Sequence, residues 1–124
     1  MCSSDLKMAN PNIVGVTSIY AKTATQIVGS SATAILANSS GSGKVYKINA
    51  LYVSNVDASS NYNVTVDVYR STVAYRICYN STVPLGGTLD VISRTIYLEE
   101  GDSLRLTGSS ANKLEAVCSY EDIS

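Results

Sequence analysis

The chain lacks several residue types on which enzymes depend. Its 124 residues include no histidine, no tryptophan and no phenylalanine. Without histidine it has neither the commonest general base nor the commonest side-chain ligand for metal ions. It also has no GxSxG motif and no acid–base motif of paired carboxylates. We therefore expect no catalytic residue, no cofactor and no metal site, and we expect that the protein is not an enzyme.

Charged residues are also scarce. They make up 15% of the chain, with a formal net charge of −1, whereas about a quarter is usual for a soluble domain. No block of Lys or Arg could follow a phosphate backbone, so nucleic acid is not an expected partner. No apolar run approaches the roughly 20 residues that span a bilayer, so no membrane association is expected. The weakly charged surface indicates that a partner covers part of it.

The three cysteines do not form a metal-binding pattern. The chain has no CxxC motif and no histidine to complete a zinc site. Cys78 and Cys118 each lie in an apolar, strand-like run and are expected to be small buried side chains. A disulfide between them stays open, because the sequence does not show how close their Cα atoms come.

What the chain does contain is a series of short runs rich in Val, Ile, Thr and Tyr. Several alternate apolar and polar residues with period two, which is typical of strands with one buried face. The apolar members of three such runs are Val64, Val66 and Val68, then Leu104 and Leu106, then Leu114, Ala116, Cys118 and Tyr120. The run Ile48–Val53 is apolar almost throughout and is predicted to be a central strand.

Turn-forming residues separate these runs at short intervals. The clusters are Asn38–Gly43, Asn55–Asn61, Pro84–Gly87, Glu99–Asp102 and Gly108–Asn112. The only stretch with helix-forming residues, Ser31–Asn38, is too short to form a helix alone. The pattern predicts an all-β fold: a single-domain antiparallel β-sandwich, jelly-roll-like, over residues 20–124.

The first 19 residues are expected to lie outside this sandwich. Residues 1–7 have neither strand or helix periodicity nor the apolar segment of a signal peptide. The string CSSDL in this leader resembles a translated sequencing-adapter remnant. We therefore expect the natural start at Met8, which makes Cys2 an artefact, and an N-terminal arm over residues 8–19.

Two polar motifs resemble ligand sites but fit structural roles better. Gly41-Ser42-Gly43-Lys44 resembles the end of a phosphate loop, but the preceding glycine and the following Ser or Thr are missing. A hairpin loop explains its glycines. The carboxylates of Glu99–Asp102 could hold a hard cation, although the run does not match an EF-hand and reads equally well as a polar turn.

Tyrosine is the only aromatic residue, and it occurs nine times. Its apolar ring and polar tip suit both the ends of a core and protein interfaces. Four tyrosines lie on or beside predicted strands: Tyr69, Tyr75, Tyr79 and Tyr97. Composition alone leaves both interpretations open.

Three segments resemble a family of small virion structural proteins of cyanophages and related marine tailed phages. They are Met8–Tyr20 (MANPNIVGVTSIY), Ser42–Asn49 with Val53–Asp57, and Ile96–Asp102 with Leu114–Ser124. The resemblance covers nearly all of the chain from Met8 onward, and its C-terminal part is the most specific.

The resemblance implies a head decoration or cement protein, assembled in the host cytoplasm and carried on the virion. Such proteins are often β-rich and trimeric, so a homotrimer bound to the major capsid protein or another virion protein is expected. The residues expected at these interfaces are Asn10, Pro11, Ile13, Val14, Tyr20, Tyr69 and Tyr79.

Two other functions stay open. The same fold could belong to a neck, tail or fibre-associated virion protein. It could also be a carbohydrate-binding jelly roll that aids adsorption, with Tyr97 beside Glu99 and Glu100 as the candidate sugar site.

Overall fold

The structure is a computed structural model, and it describes Gly15 and residues 18–124. These residues form nine β-strands and no helix. The strands are β1 (Ile19–Val28), β2 (Thr33–Ala37), β3 (Val45–Asn55), β4 (Tyr62–Arg70), β5 (Val73–Val83), β6 (Thr88–Asp90), β7 (Ile96–Leu98), β8 (Ser103–Gly108) and β9 (Leu114–Ile123). The described part of the chain therefore contains no helix that could cross a membrane.

The strands form two antiparallel sheets. One has the order β1-β9-β3, with β6 and β7 pairing in turn with the remaining edge of β3, and the other has the order β2-β8-β4-β5. The predicted all-β antiparallel sandwich is confirmed. Every connection except β4–β5 and β6–β7 passes from one sheet to the other. The jelly-roll wrapping stays a prediction, and this alternation between sheets supports it.

The core lies between the sheets and is built from the alternating residues that the sequence predicts. Val64 and Val66 of β4, and Leu104 and Leu106 of β8, are fully buried. Leu114, Ala116 and Cys118 face them from β9. Burial of each large aliphatic side chain stabilises the fold by about 1.5–3 kcal/mol relative to exposure.

Strand β3 is central in its sheet, as its apolar run predicts, but its alternation is interrupted. The register with β9 shifts between Ile48 and Ala50, so Asn49 is an exposed extra residue. Because of this bulge, Ile48 and Leu51 both point into the core although three positions separate them. The bulge explains why the run reads as continuously apolar.

Two buried asparagines hold the loops at the ends of the sandwich. Asn38 Nδ2 donates to the carbonyl oxygens of Lys44 and Leu98 at 2.9 and 3.0 Å. Asn55 Nδ2 donates in the same way to Ser60 and Val83. Buried carbonyls need such partners, so each amide fixes a loop that has little apolar surface of its own.

The two cysteines within the described residues are free thiols in different sheets. Cys118 is fully buried, and burial raises the pKa of its thiol to about 11. Cys78 of β5 is only half-buried, packed against the edge of the core. The prediction of a small buried side chain is confirmed for Cys118 and holds in part for Cys78.

The predicted leader and most of the predicted arm lie outside the described residues. Strand β1 begins at Ile19, the last residue of the range predicted as an arm. The three predicted segments stay predictions.

Candidate interaction surface

A groove of about 330 Å³ lies along one open side of the sandwich, between edge strand β5 and strand β7. Its lining is mostly apolar and aromatic, with two arginines. The lining residues are Val68, Arg70, Tyr75, Arg76, Ile77, Ile96 and Tyr97. We call this feature the β5–β7 groove.

The groove exists because the sheets are not closed on this side. Tyr75 lies opposite Val68 in the register of β4 with β5, and Ile96 lies opposite Ile48 of β3. The floor of the groove therefore continues into the core. Tyr75 and Tyr97 remain 57% and 46% exposed, which leaves two aromatic rings available to a partner.

The two arginines of the groove have different surroundings. Arg70 donates from Nε and Nη2 to both carboxylate oxygens of Asp102, at 2.8 and 2.5 Å, and from Nη2 to Glu99 at 3.2 Å. Hydrogen bonding to Asp102 raises the pKa of Arg70, so this side chain is charged and held in place. The Arg76 guanidinium lies 5.1 Å from the ring centroid of Tyr79.

Two of the predicted interface tyrosines, Tyr69 and Tyr79, lie on the four-stranded sheet that forms one wall of the groove. Tyr79 is 71% exposed, and its contact with Arg76 connects it to the groove. Tyr69, expected to be exposed, is half-buried. The reason is the Arg105 guanidinium, which lies 4.0 Å from the Tyr69 ring centroid and donates to the buried carboxylate of Asp67.

Tyr20 lies on the opposite side of the molecule. It is near the start of β1, it is 59% exposed, and the structure does not bring it near Tyr69 or Tyr79. The adjacent ammonium of Lys22 donates to the buried Asp122 at 3.0 Å. The other expected interface residues, Asn10, Pro11, Ile13 and Val14, lie outside the described residues.

Sequence reasoning missed the exposed apolar residues of β1. Ile19 and Ile27 are 56% and 63% exposed on a ten-residue edge strand. The signal was present in IYAKTATQIV, where large apolar residues occur at odd positions (Ile19 and Ile27) and at even positions (Tyr20 and Val28). A strand that packs only one face on the core does not need large apolar residues on both faces. This pattern therefore indicates that the second face of β1 is also suited to contact with another surface.

The two polar motifs of the sequence, Gly41–Lys44 and Glu99–Asp102, form contacts within the protein. The backbone N–H groups of Gly41 and Gly43 donate to the carboxylate of Glu100 at 3.1 and 2.8 Å. Asp102 accepts from Arg70 and from the Glu99 backbone. Within the described residues, no group of three or more Cys, Asp or Glu side chains could hold a metal ion. Since the Glu100 carboxylate is buried against the loop between β2 and β3, it is not free to complete a sugar site beside Tyr97.

Comparison with known proteins places the fold among solved structures. No protein-family model and no curated protein matches the chain. A solved structure from Bacillus endospore appendages, which form a family of disulfide-linked pili, is similar with 15% identity, 85% coverage of each chain and a TM-score of 0.52. A pentameric capsid protein isolated from metagenomic phage sequences has 17% identity and a TM-score of 0.44, covering 96% of this chain and 66% of that chain. The endospore appendage structure shows that the two proteins share their fold.

Proposed function

We propose that this chain is a structural protein of a phage virion, and that it decorates or cements the capsid. The observation that carries the proposal is the pair of exposed apolar sides: the β5–β7 groove on one side and the edge of β1 on the other. A chain with few charges and two such sides is suited to contact more than one neighbour. The resemblance of the sequence to virion proteins of cyanophages and related marine phages supports the proposed location on a phage particle.

The mechanism we propose is repeated binding to a lattice. Each groove offers Tyr75 and Tyr97 to the major capsid protein as rigid aromatic contacts. A single contact of this kind is modest, and many copies in a homo-oligomer, proposed here as a trimer, make the total attachment strong. A similar sandwich occurs in Bacillus endospore appendages, which are disulfide-linked pili. In this chain Cys78 and Cys118 are free thiols. We therefore propose that the contacts between copies, and with the capsid, are non-covalent.

Quantitative mass spectrometry of purified virions tests the proposal. In particles of a phage that carries this gene, we expect a copy number near one, or near one-third, per major capsid subunit. A few copies per hundred capsid subunits would instead support the neck, tail or fibre position. Absence from the particle would overturn the virion assignment.

A binding experiment tests the groove itself. Purified protein is mixed with capsids that lack it and is then sedimented with them. The double variant Tyr75→Ser/Tyr97→Ser should lose co-sedimentation, because both aromatic contacts are removed. Tyr52→Ser is the matched control, since Tyr52 is 43% exposed on another surface, and it should bind as the unchanged protein does. Equal binding by all three proteins would exclude the groove as the capsid contact.

The groove also favours a second candidate, carbohydrate binding. Two exposed tyrosines line an open groove that has Arg70 and Glu99 at one end, and sugars bind such combinations of aromatic and polar groups. A glycan array on which the unchanged protein binds and the Tyr75→Ser/Tyr97→Ser variant does not would favour this function. No binding on the array would remove it.

A further inference from the structure

The four edges of the two sheets differ in how well they are protected against pairing with another strand. Strand β2 has five residues and a register shift, and β6 and β7 have three residues each. Strand β5 is long, but its register with β4 shifts twice and Asn80 has a φ of 51°. Short strands and bulges are the devices by which proteins protect sheet edges.

Strand β1 has none of this protection. It pairs with β9 over all ten residues without a register shift, and it contains no Gly or Pro. Its only charged residue, Lys22, forms an ion pair with the buried Asp122 of the neighbouring strand. A long and regular edge whose one charge is paired within its own sheet is a template for a further strand.

The backbone pattern identifies which residues of β1 present free groups. Ser18 and Ser124 exchange both of their hydrogen bonds, at 3.0 and 2.9 Å. In an antiparallel pair such residues alternate with residues whose N–H and C=O point away. Even-numbered residues of β1 therefore bond to β9. The odd-numbered residues direct their N–H and C=O to the free edge: Ile19, Ala21, Thr23, Thr25 and Ile27.

The same five residues form a row that is complementary to itself. All are exposed on the outer face, and none is charged. When two copies meet antiparallel about Thr23, Ile19 lies opposite the partner's Ile27, and Ala21 lies opposite the partner's Thr25. Each free N–H and C=O then faces a free group of the second copy, and no like charges lie directly opposite one another. Lys22 lies diagonal to the partner's Lys22, and each ammonium is directed to Asp122 of its own chain.

We propose that β1 pairs with β1 of a second copy across a two-fold axis, so that the two five-stranded sheets become one continuous sheet. This inference deepens the proposed function, since it names one contact by which the copies assemble. By itself the contact gives a dimer. If the proposed trimer also forms through another surface, the two contacts together give a closed hexamer when the three β1 edges of one trimer pair with the same second trimer.

The introduction of a charge at Thr23 tests the pairing. Thr23→Lys and Thr23→Glu each place two like charges directly opposite one another at the two-fold axis, so each variant alone should have half the molar mass of the unchanged protein in analytical ultracentrifugation. Mixing the two variants in equal amounts should restore the full mass, because Lys then faces Glu. Ser119→Lys is the matched control: Ser119 is the neighbour of Thr23 on β9, and it is exposed on the same face.

The control should keep the full mass, and circular dichroism should show that all the variants are folded. The inference is overturned if the unchanged protein has the mass of a single chain, or if the Thr23 variants keep its mass. Single variants that dissociate without recovery on mixing would also overturn it, because the edge would then bind something other than β1 of a second copy. Capsid co-sedimentation by a dissociated Thr23 variant would show that the proposed function holds independently of this contact.

Discussion

The buried carboxylate of Glu100 accounts for the glycine-rich loop that resembles a phosphate site. Gly41 and Gly43 have φ angles of 74° and 69°, values that glycine adopts readily. Their N–H groups converge on one anion, as in a phosphate loop, and the anion is the side chain of Glu100. The chain thus supplies its own ligand to the loop, which fixes the connection between β2 and β3.

Glu100→Gln should therefore lower the free energy of unfolding by about 1–3 kcal/mol, because two backbone N–H groups lose a charged acceptor that is itself buried. The urea midpoint measures the change. Glu115→Gln is the control, since Glu115 is exposed on β9, and it should leave the midpoint almost unchanged. An equal midpoint for the two variants would contradict this account of the loop.

The ionised carboxylate of Asp57 contributes to stability in a way that depends on pH. The hydroxyl and the N–H of Ser59, followed by the Lys113 ammonium, lower the pKa of Asp57 to about 2. An unfolded Asp has a pKa of about 3.9. Since the folded pKa is the lower one, the stabilisation is present above about pH 4 and is lost as the pH falls toward 2.

Asp57→Asn should consequently be less stable than the unchanged protein at pH 5, and the difference should disappear near pH 2. Urea unfolding at a series of pH values measures it. Ser59→Ala should reproduce part of the effect, because it removes the hydroxyl donor. A difference that stays constant from pH 5 to pH 2 would show that Asp57 does not contribute through its charge.

Among the elements, the β4–β5 hairpin is where sequence reasoning fails. Ser71 and Thr72 form its turn with φ angles of 52° and 63°. Gly and Asn are the usual residues at two such positions, and neither is present here, so no turn was predicted. The two bulges of β5 have no sequence signal either, because its apolar residues occur at both parities.

Ser71→Asn/Thr72→Gly should stabilise the protein by about 1 kcal/mol, since Asn and Gly adopt positive φ angles at lower cost than Ser and Thr. Urea unfolding checks the gain. The same double change placed inside strand β4, at Thr65 and the fully buried Val66, should destabilise the protein. A lower midpoint for the turn variant would indicate that Ser71 and Thr72 have a role beyond the turn.

At the scale of the whole molecule, the sequence predicts the two packed sheets better than it predicts which residues share an exposed surface. Alternation in β4, β8 and β9 is sufficient for the sandwich, because each inward residue it identifies is buried in the core or, for Val68 and Tyr120, packed partly buried against it. Tyrosine content identifies Tyr75, Tyr79 and Tyr97 as candidates for contact. Which tyrosines share a surface depends on strand order, and strand order comes from pairings between distant parts of the chain. For this reason neither the β5–β7 groove nor the edge of β1 could be predicted.

The position of β9 also constrains when the protein can fold. It follows the other eight strands in chain order, yet it lies between β1 and β3. During synthesis, β1 therefore leaves the ribosome long before β9, the described strand with which it pairs, and the four strands of the other sheet are made before β9 as well. On the proposed pairing, the strand that forms the contact between copies can thus take its place in the sheet only once β9 has been made.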